Sequence, residues 1–282
     1  MSPPLAIGLA QITGAPYAAH ENRRLSVRAA TELFGRGAQL VVLPELIVPG
    51  YGVDRSRLEG LAETLDGPTP SAWAEVAASA GGYVAGGFCE VSDDRLYNSA
   101  VLVGPEGLVM HYRKLHLFGD EKSAFAVGDV GLPVAHTPLG TIGLCICYDL
   151  RFVETVRALS LMGAELICVP TAWIPGFNSR RWDAEGYCPQ ARAALVQADL
   201  DQVFIACASQ AGGDGGFLGS SLLCDPYGTA VIGPLPGTED ELALATVDLD
   251  LVSRAHERQA GITPRADRRT DVYGLAIGEQ VL

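Results

Sequence analysis

Short apolar runs of strand length alternate with segments of helical period along almost all of the 282 residues, and this alternation limits the fold more than any other feature. Residues 5–12 (LAIGLAQI) and 38–45 (AQLVVLPE) are strand candidates. Between them, residues 19–37 repeat Leu25, Ala29 and Leu33 at helical spacing and end on glycine, a common helix stop. A helix follows over 71–81, with Ser71 as the cap candidate, and then a strand over 83–91. Residues 97–114 read as strand, Pro-Glu-Gly turn and strand, hence a hairpin. Further strands are predicted at 140–147, 165–173, 203–210, 219–228 and 242–249. Helices are predicted at 152–164 and within 184–200, the latter starting at or after Pro189. Such alternation mixed with a hairpin predicts an α/β fold with mixed sheets. No linker-like tract, repeat or low-complexity segment divides residues 1–282, so one domain is expected.

Hydrophobic residues make up 48% of the chain and charged residues 19%, which supports a large core and argues against disorder. The net charge of −13 repels phosphate backbones, so nucleic acid is not an expected partner. No apolar run reaches the roughly 18 residues needed to span a bilayer, and no membrane partner is expected. The opening MSPPLAIGLAQIT lacks the basic and apolar regions of a secretory signal, so the expected location is cytoplasmic.

The seven cysteines, Cys89, Cys145, Cys147, Cys168, Cys188, Cys207 and Cys224, are odd in number and scattered. That is not a disulfide framework; in a reducing compartment most are small buried hydrophobes. Two of them lie in GLCICYDLRF (143–152), where an apolar strand gives way to a helix. Strand ends in α/β sheets gather ligands, and a helix N-terminus favours a thiolate. By period two Cys145 and Cys147 share a sheet face, with Cys145 deeper. Cys147 is therefore the better nucleophile and Cys145 the better packing residue, although this stretch alone favours two core cysteines. Glu45, in VVLPELIVPGY (41–51), is either a solvated loop charge or a base held at a strand mouth. Lys114 ends the hairpin in YRKLHLFGDE (112–121), and Glu121 stands seven residues later. Taken singly, both read as solvated charges.

Together, LPELIVPGY, YRKLHLFGDEKSAFAVGD and GLCICYDLRFVET resemble the three catalytic motifs of the nitrilase, or carbon–nitrogen hydrolase, superfamily. GAELICVPTAW, GFLGSSLLCDPYG and the tail DRRTDVY (267–273) extend the resemblance over nearly the whole chain. The sequence departs before the strand at 203–210, where Leu200-Asp201 replaces a frequent Glu-Asn and bears on helix capping or dimer contacts. The resemblance implies a four-layer α-β-β-α sandwich. It also implies a triad in which the Cys147 thiol attacks an amide carbonyl and Glu45 takes its proton. Lys114, with a backbone N–H near Tyr148, would stabilise the oxyanion. A thioester is hydrolysed after ammonia or an amine leaves, and Glu121 resembles the family's second glutamate, which orients substrate or assists proton transfer. Two glutamates in a closed pocket should leave at least one with a raised pKa. Such subunits pair through the helices after the nucleophile, so a homodimer or higher homo-oligomer is expected, with the tail 254–282 reaching a partner.

Other features point elsewhere or nowhere. His20, His111, His116, His136 and His256 form no metal-binding pattern, and no metal or cofactor is expected. His116 reads as a structural hydrogen-bonding residue; on the residues alone a Cys147–histidine pair stays open. GGDGGF (212–217) lacks the context of a phosphate cradle and reads as a flexible loop near the pocket. Trp173, at a strand mouth, is a candidate substrate wall, as are Tyr148, Tyr51 and Phe118. The expected activity is cleavage of a small carboxamide, since Tyr-Asp follows the cysteine where many nitrilases have Trp-Glu. Alternatives are hydrolysis of an N-carbamoyl compound, with Arg180 and Arg181 available to a carboxylate, then of a nitrile. A binding protein on a retired hydrolase fold would need a broken triad.

Overall fold

The computed structural model describes residues 3–176, 179–213, 216–278 and 280–281. In chain order the first elements are β1 (Leu5–Gln11), α1 (Ala19–Gly35), β2 (Leu40–Val42), α2 (Arg55–Leu58), α3 (Pro68–Ala80) and β3 (Tyr83–Ser92). Then come β4 (Arg95–Gly104), β5 (Gly107–Arg113), α4 (Glu121–Ala124), β6 (Val134–Thr137) and β7 (Gly140–Leu144). A 3₁₀ turn (Cys147–Arg151) leads to α5 (Val153–Leu161), β8 (Leu166–Thr171), α6 (Pro189–Asp201) and β9 (Phe204–Ser209). The remainder is β10 (Ala211–Gly212), β11 (Phe217–Leu218), β12 (Leu222–Cys224), β13 (Ala230–Ile232), β14 (Glu241–Val247), α7 (Asp250–His256), β15 (Ala276–Ile277) and β16 (Gln280–Val281).

Two six-stranded sheets result, ordered β14-β1-β2-β3-β4-β5 and β13-β12-β9-β8-β7-β6. Each has three parallel strands at its centre, β1-β2-β3 and β7-β8-β9, with antiparallel strands outside them. Period two along the strands decides what packs where. Leu40, Val42, Tyr83, Ala85, Ala100 and Leu102 enter the core shared with the second sheet. Their neighbours Val41, Leu43, Val84, Val101 and Val103 instead meet Ala29, Leu33, Trp73 and Ala77 of α1 and α3. On the other side, Val156 and Leu159 of α5 and Ala191, Ala194 and Ala198 of α6 pack on the second sheet. The four-layer α-β-β-α sandwich is thus observed.

Several local expectations change. Helix α3 begins at Pro68, with Gly67 as its cap, so Ser71 lies inside it. Glu63 accepts from the Thr69 N–H (2.5 Å) and hydroxyl (2.8 Å), satisfying a donor in the first turn of the helix as it actually begins. The strand expected over 140–147 ends at Leu144, and that over 219–228 shrinks to Leu222–Cys224. Helix α6 starts at Pro189, as its fixed φ favours. At the Leu200-Asp201 departure, Asp201 is buried against Arg157, and Gln202 closes the helix in the left-handed region (φ 57°). Asp214 and Gly215 of the glycine-rich loop, and Glu279 and Leu282 of the tail, lie outside the described residues. Among the described residues no helix is long and apolar enough to cross a membrane.

Candidate active site

Glu45 leaves the first sheet just after β2. Its backbone N–H donates to Thr171 O of the second sheet (3.2 Å), and its carbonyl accepts from Gln210 Nε2 (2.9 Å). On the other side Gly87 presses against it: a Cβ there would lie 2.7 Å from Glu45 Cα and 2.8 Å from Leu46 N. Lys114 follows β5. Its N–H donates to Asn98 O (2.9 Å) and its carbonyl accepts from Gly128 N (3.0 Å). The preceding Arg113 turns away to a buried carboxylate, Glu90, which also takes Ser99 Oγ (2.5 Å) and His111 Nε2 (2.9 Å). That network fixes the strand carrying the lysine.

These backbones bring three charges together. Lys114 Nζ donates to Glu45 Oε1 (2.6 Å) and to both oxygens of Glu121 (2.9 Å each). All three side chains are buried, so the solvated-charge readings of Glu45, Lys114 and Glu121 are replaced. Glu121 also accepts from Tyr51 OH (2.6 Å) and Phe118 N (2.9 Å), so both its oxygens are occupied. Glu45 differs: Oε1 takes Lys114 and Asn98 Nδ2 (2.8 Å), while Oε2 is buried with no hydrogen-bond partner among the described residues. Burial pushes the Glu45 carboxyl pKa up; Lys114 and Asn98 oppose this and Glu121 adds to it. Burial disfavours the Lys114 charge, but Glu45 and Glu121 outweigh it and hold the amine protonated.

Cys147 arrives from the second sheet. It adopts φ 44°, a left-handed conformation that a cysteine holds only when its surroundings impose it. The restraint is Asp149, fully buried, whose carboxylate accepts from Ile146 N (2.9 Å), Tyr112 OH (2.8 Å), His116 N (3.1 Å) and His116 Nδ1 (2.7 Å). Tyr112 and His116 flank Lys114 in sequence, so Asp149 ties the cysteine turn to the lysine strand. The strand has ended before Cys147, so the shared face expected for Cys145 and Cys147 does not hold. Cys145 is fully buried in the inter-sheet core, as a packing residue should be. Cys147 is half-buried and lines a cavity. The expected lowering of its pKa is not found: burial and Glu45 push it well up, against Lys114 and the Ala172 N–H. The thiol therefore rests protonated within reach of the Glu45 charge. His116 is committed to Asp149 and stacks on Phe152 (centroids 3.6 Å apart), as a structural histidine does.

The cavity that Cys147 lines is narrow. All four expected wall residues, Tyr51, Phe118, Tyr148 and Trp173, line it. Leu150, Ala172, Ile174, Gln190 and Ala193 complete a mostly apolar wall, with Arg151 also present. Sequence reasoning missed Asn98, Asp149 and Gln190. Phe217, at the end of the glycine-rich segment, meets the Tyr51 ring edge-on at 5.8 Å. Phe177 and Asn178, just before Ser179, lie outside the described residues. Among the described residues no group of three or more His, Cys, Asp or Glu side chains is arranged to hold a metal ion.

A sandwich of two sheets with a cysteine, a lysine and two glutamates at its seam defines a class. The chain belongs to the carbon–nitrogen hydrolase family, whose pattern it matches over residues 6–257. It is 37% identical over 221 residues to a nitrilase of Pyrococcus abyssi, covering 77% of this chain and 79% of that one. It is 32% identical to an (R)-stereoselective amidase of a Pseudomonas species, covering 89% and 88%. Among solved structures it resembles a glutamate-to-glutamine mutant of the amidase from Nesterenkonia sp. AN1, with TM-score 0.74 and 25% identity over 95% of this chain and 98% of that one. That structure shows the result of Michael addition of acrylamide at its active-site cysteine.

Proposed function

We propose that this protein is an amidase that cleaves the C–N bond of a small carboxamide through a thioester on Cys147. The observation that carries the reading is the buried Glu45 Oε2, which has no hydrogen-bond partner among the described residues and belongs to a carboxylate whose charge acts on the Cys147 thiol. In the proposed cycle Glu45 Oε2 takes the Cys147 proton as Sγ bonds to the carbonyl carbon. The Lys114 ammonium stabilises the resulting oxyanion. As the tetrahedral species collapses the C–N bond breaks, and the departing nitrogen takes the proton from Glu45. Water then gives a proton to Glu45 and attacks the thioester; the acid leaves and Cys147 recovers its proton. Glu121, with both oxygens occupied, serves to hold Lys114 and Tyr51.

Support for an amide over a nitrile comes from the amidase names among the relatives and from the Tyr148-Asp149 pair after the cysteine. The narrow, apolar, aromatic-walled cavity favours a slender uncharged acyl chain. Screening carboxamides, ureido acids and nitriles for ammonia release tests the reading. Turnover is expected with short carboxamides, none with Cys147→Ala, and retained activity with Cys145→Ala. Release from nitriles alone, or equal loss in two folded cysteine variants, would refute it.

A further inference from the structure

Strand β4 points every second residue into the core between the sheets, and Ala100 and Leu102 belong to that core. Asn98 occupies the same register and is fully buried where an apolar side chain would continue the stripe. A carboxamide in such a place is costly unless it is bonded. Its Nδ2 donates to Glu45 Oε1 (2.8 Å) and reaches Glu121 Oε1 at 3.5 Å. The reversed amide would set its oxygen against two carboxylate oxygens, so the orientation is fixed by its neighbours. Its backbone carbonyl accepts the Lys114 N–H at 2.9 Å. A single residue thus holds both glutamates and the lysine.

The lysine alone does not distinguish the two carboxylates. An ammonium group rotates and binds as a point charge, and Lys114 contacts Glu45 and Glu121 at similar lengths, 2.6 and 2.9 Å. The amide of Asn98 is planar and directional, and it is markedly closer to Glu45. We propose that Asn98 is a positioning residue for the reaction: it locks Glu45 Oε1 against Lys114, so that Oε2 is the oxygen offered to the Cys147 thiol. This rests on Glu45 being the base, as proposed above.

The test uses Asn98→Leu, which keeps the branched outline, and Asn98→Ala, which truncates the side chain; both remove the donor without adding a charge. Steady-state ammonia release is followed from a short carboxamide across pH, with thermal melts as the fold control. The ionisable groups facing Glu45 are Lys114, Glu121, Cys147 and Tyr51, and all stay in place. A donor lost from a charged acceptor predicts a kcat about 10- to 100-fold lower, with KM changed by less than about threefold. The acid limb of kcat/KM should move to higher pH by about one unit, because the Asn98 bond lowers the Glu45 pKa. Near-normal kcat in a folded variant would overturn the proposal. So would a fall in activity that follows the melting temperature with the limb unmoved, or failure of both variants to fold, which would assign Asn98 to packing. Glu45→Gln separates the two levels. If it is inactive while the Asn98 variants are normal, only this inference fails; if it is fully active, the base assignment fails as well.

Discussion

Replacing Gly87 by alanine tests whether Glu45 is held to sub-ångström tolerance from behind. The added Cβ would lie 2.7 Å from Glu45 Cα, whereas ordinary contact begins at 3.4 Å, so something must yield by 0.7 Å, the difference between them. The three nearest atoms are backbone atoms of Pro44, Glu45 and Leu46, which cannot swing aside as a side chain would. Glu45 is also tied across to Thr171 and Gln210, so the displacement pushes it into the seam. Its 2.6 Å bond to Lys114 then lies at the edge of hydrogen-bond range or tilts. A shift near 1 Å in a reacting group costs on the order of 10²-fold, so kcat should fall about 10- to 100-fold. Overpacking should cost about 1–3 kcal/mol, and much of the population should stay folded. The assay is ammonia release at a temperature where near-ultraviolet circular dichroism reports a native fold. Gly60→Ala is the control, because a Cβ there meets nothing within 4 Å. Normal turnover by folded Gly87→Ala would show that the seam absorbs the shift and that the positional reasoning is wrong.

Two further outcomes follow from charge and exposure. Burial would raise the Glu90 pKa, but bonds from His111, Arg113 and Ser99 prevail and bring it down to about 2 from 4.5. Its folded value lies below its unfolded one, so its stabilisation is full above pH 4.5 and lost as pH falls toward 2. Urea melts should show about 3 kcal/mol of acid-dependent stability that Glu90→Gln removes; an unchanged acid limb would contradict the network. We also propose that two copies pair through α5 and α6, where Val153, Val196 and Leu200 are 60%, 57% and 54% exposed. Light scattering should give at least a dimeric mass, reduced by Leu200→Glu; a monomer at micromolar concentration would reject the pairing.

Much of the fold was written in periodicity. The parallel strands and the helices α1, α3, α5 and α6 carry long apolar patterns, and sequence located them within a few residues. The edge strands β6 and β13 are short and partly exposed, so they lack the alternation that burial on one face imposes. The topology shared by the two sheets leaves no repeat in the sequence, because many different apolar residues satisfy the same packing. Glu45, Lys114 and Glu121 could be selected by motif, but their burial could not, since it depends on strand ends from different sheets meeting. Asn98 did leave a local signal: a polar residue in the inward register beside Ala100 and Leu102. The role of Asp149 left none, because apart from the local Ile146 N–H the partners that bury its carboxylate, Tyr112 and His116, stand more than thirty positions away.

The carboxylates and the amine ride on one sheet, and the sulfur rides on the other. A chain in which either sheet has formed alone would therefore hold the Cys147 thiol apart from Glu45, Lys114 and Glu121. Reagent and trigger are kept on separate components until the two slabs close. Activity, on the proposed mechanism, would require the two sheets to have docked and not only the forming of a strand or turn within either.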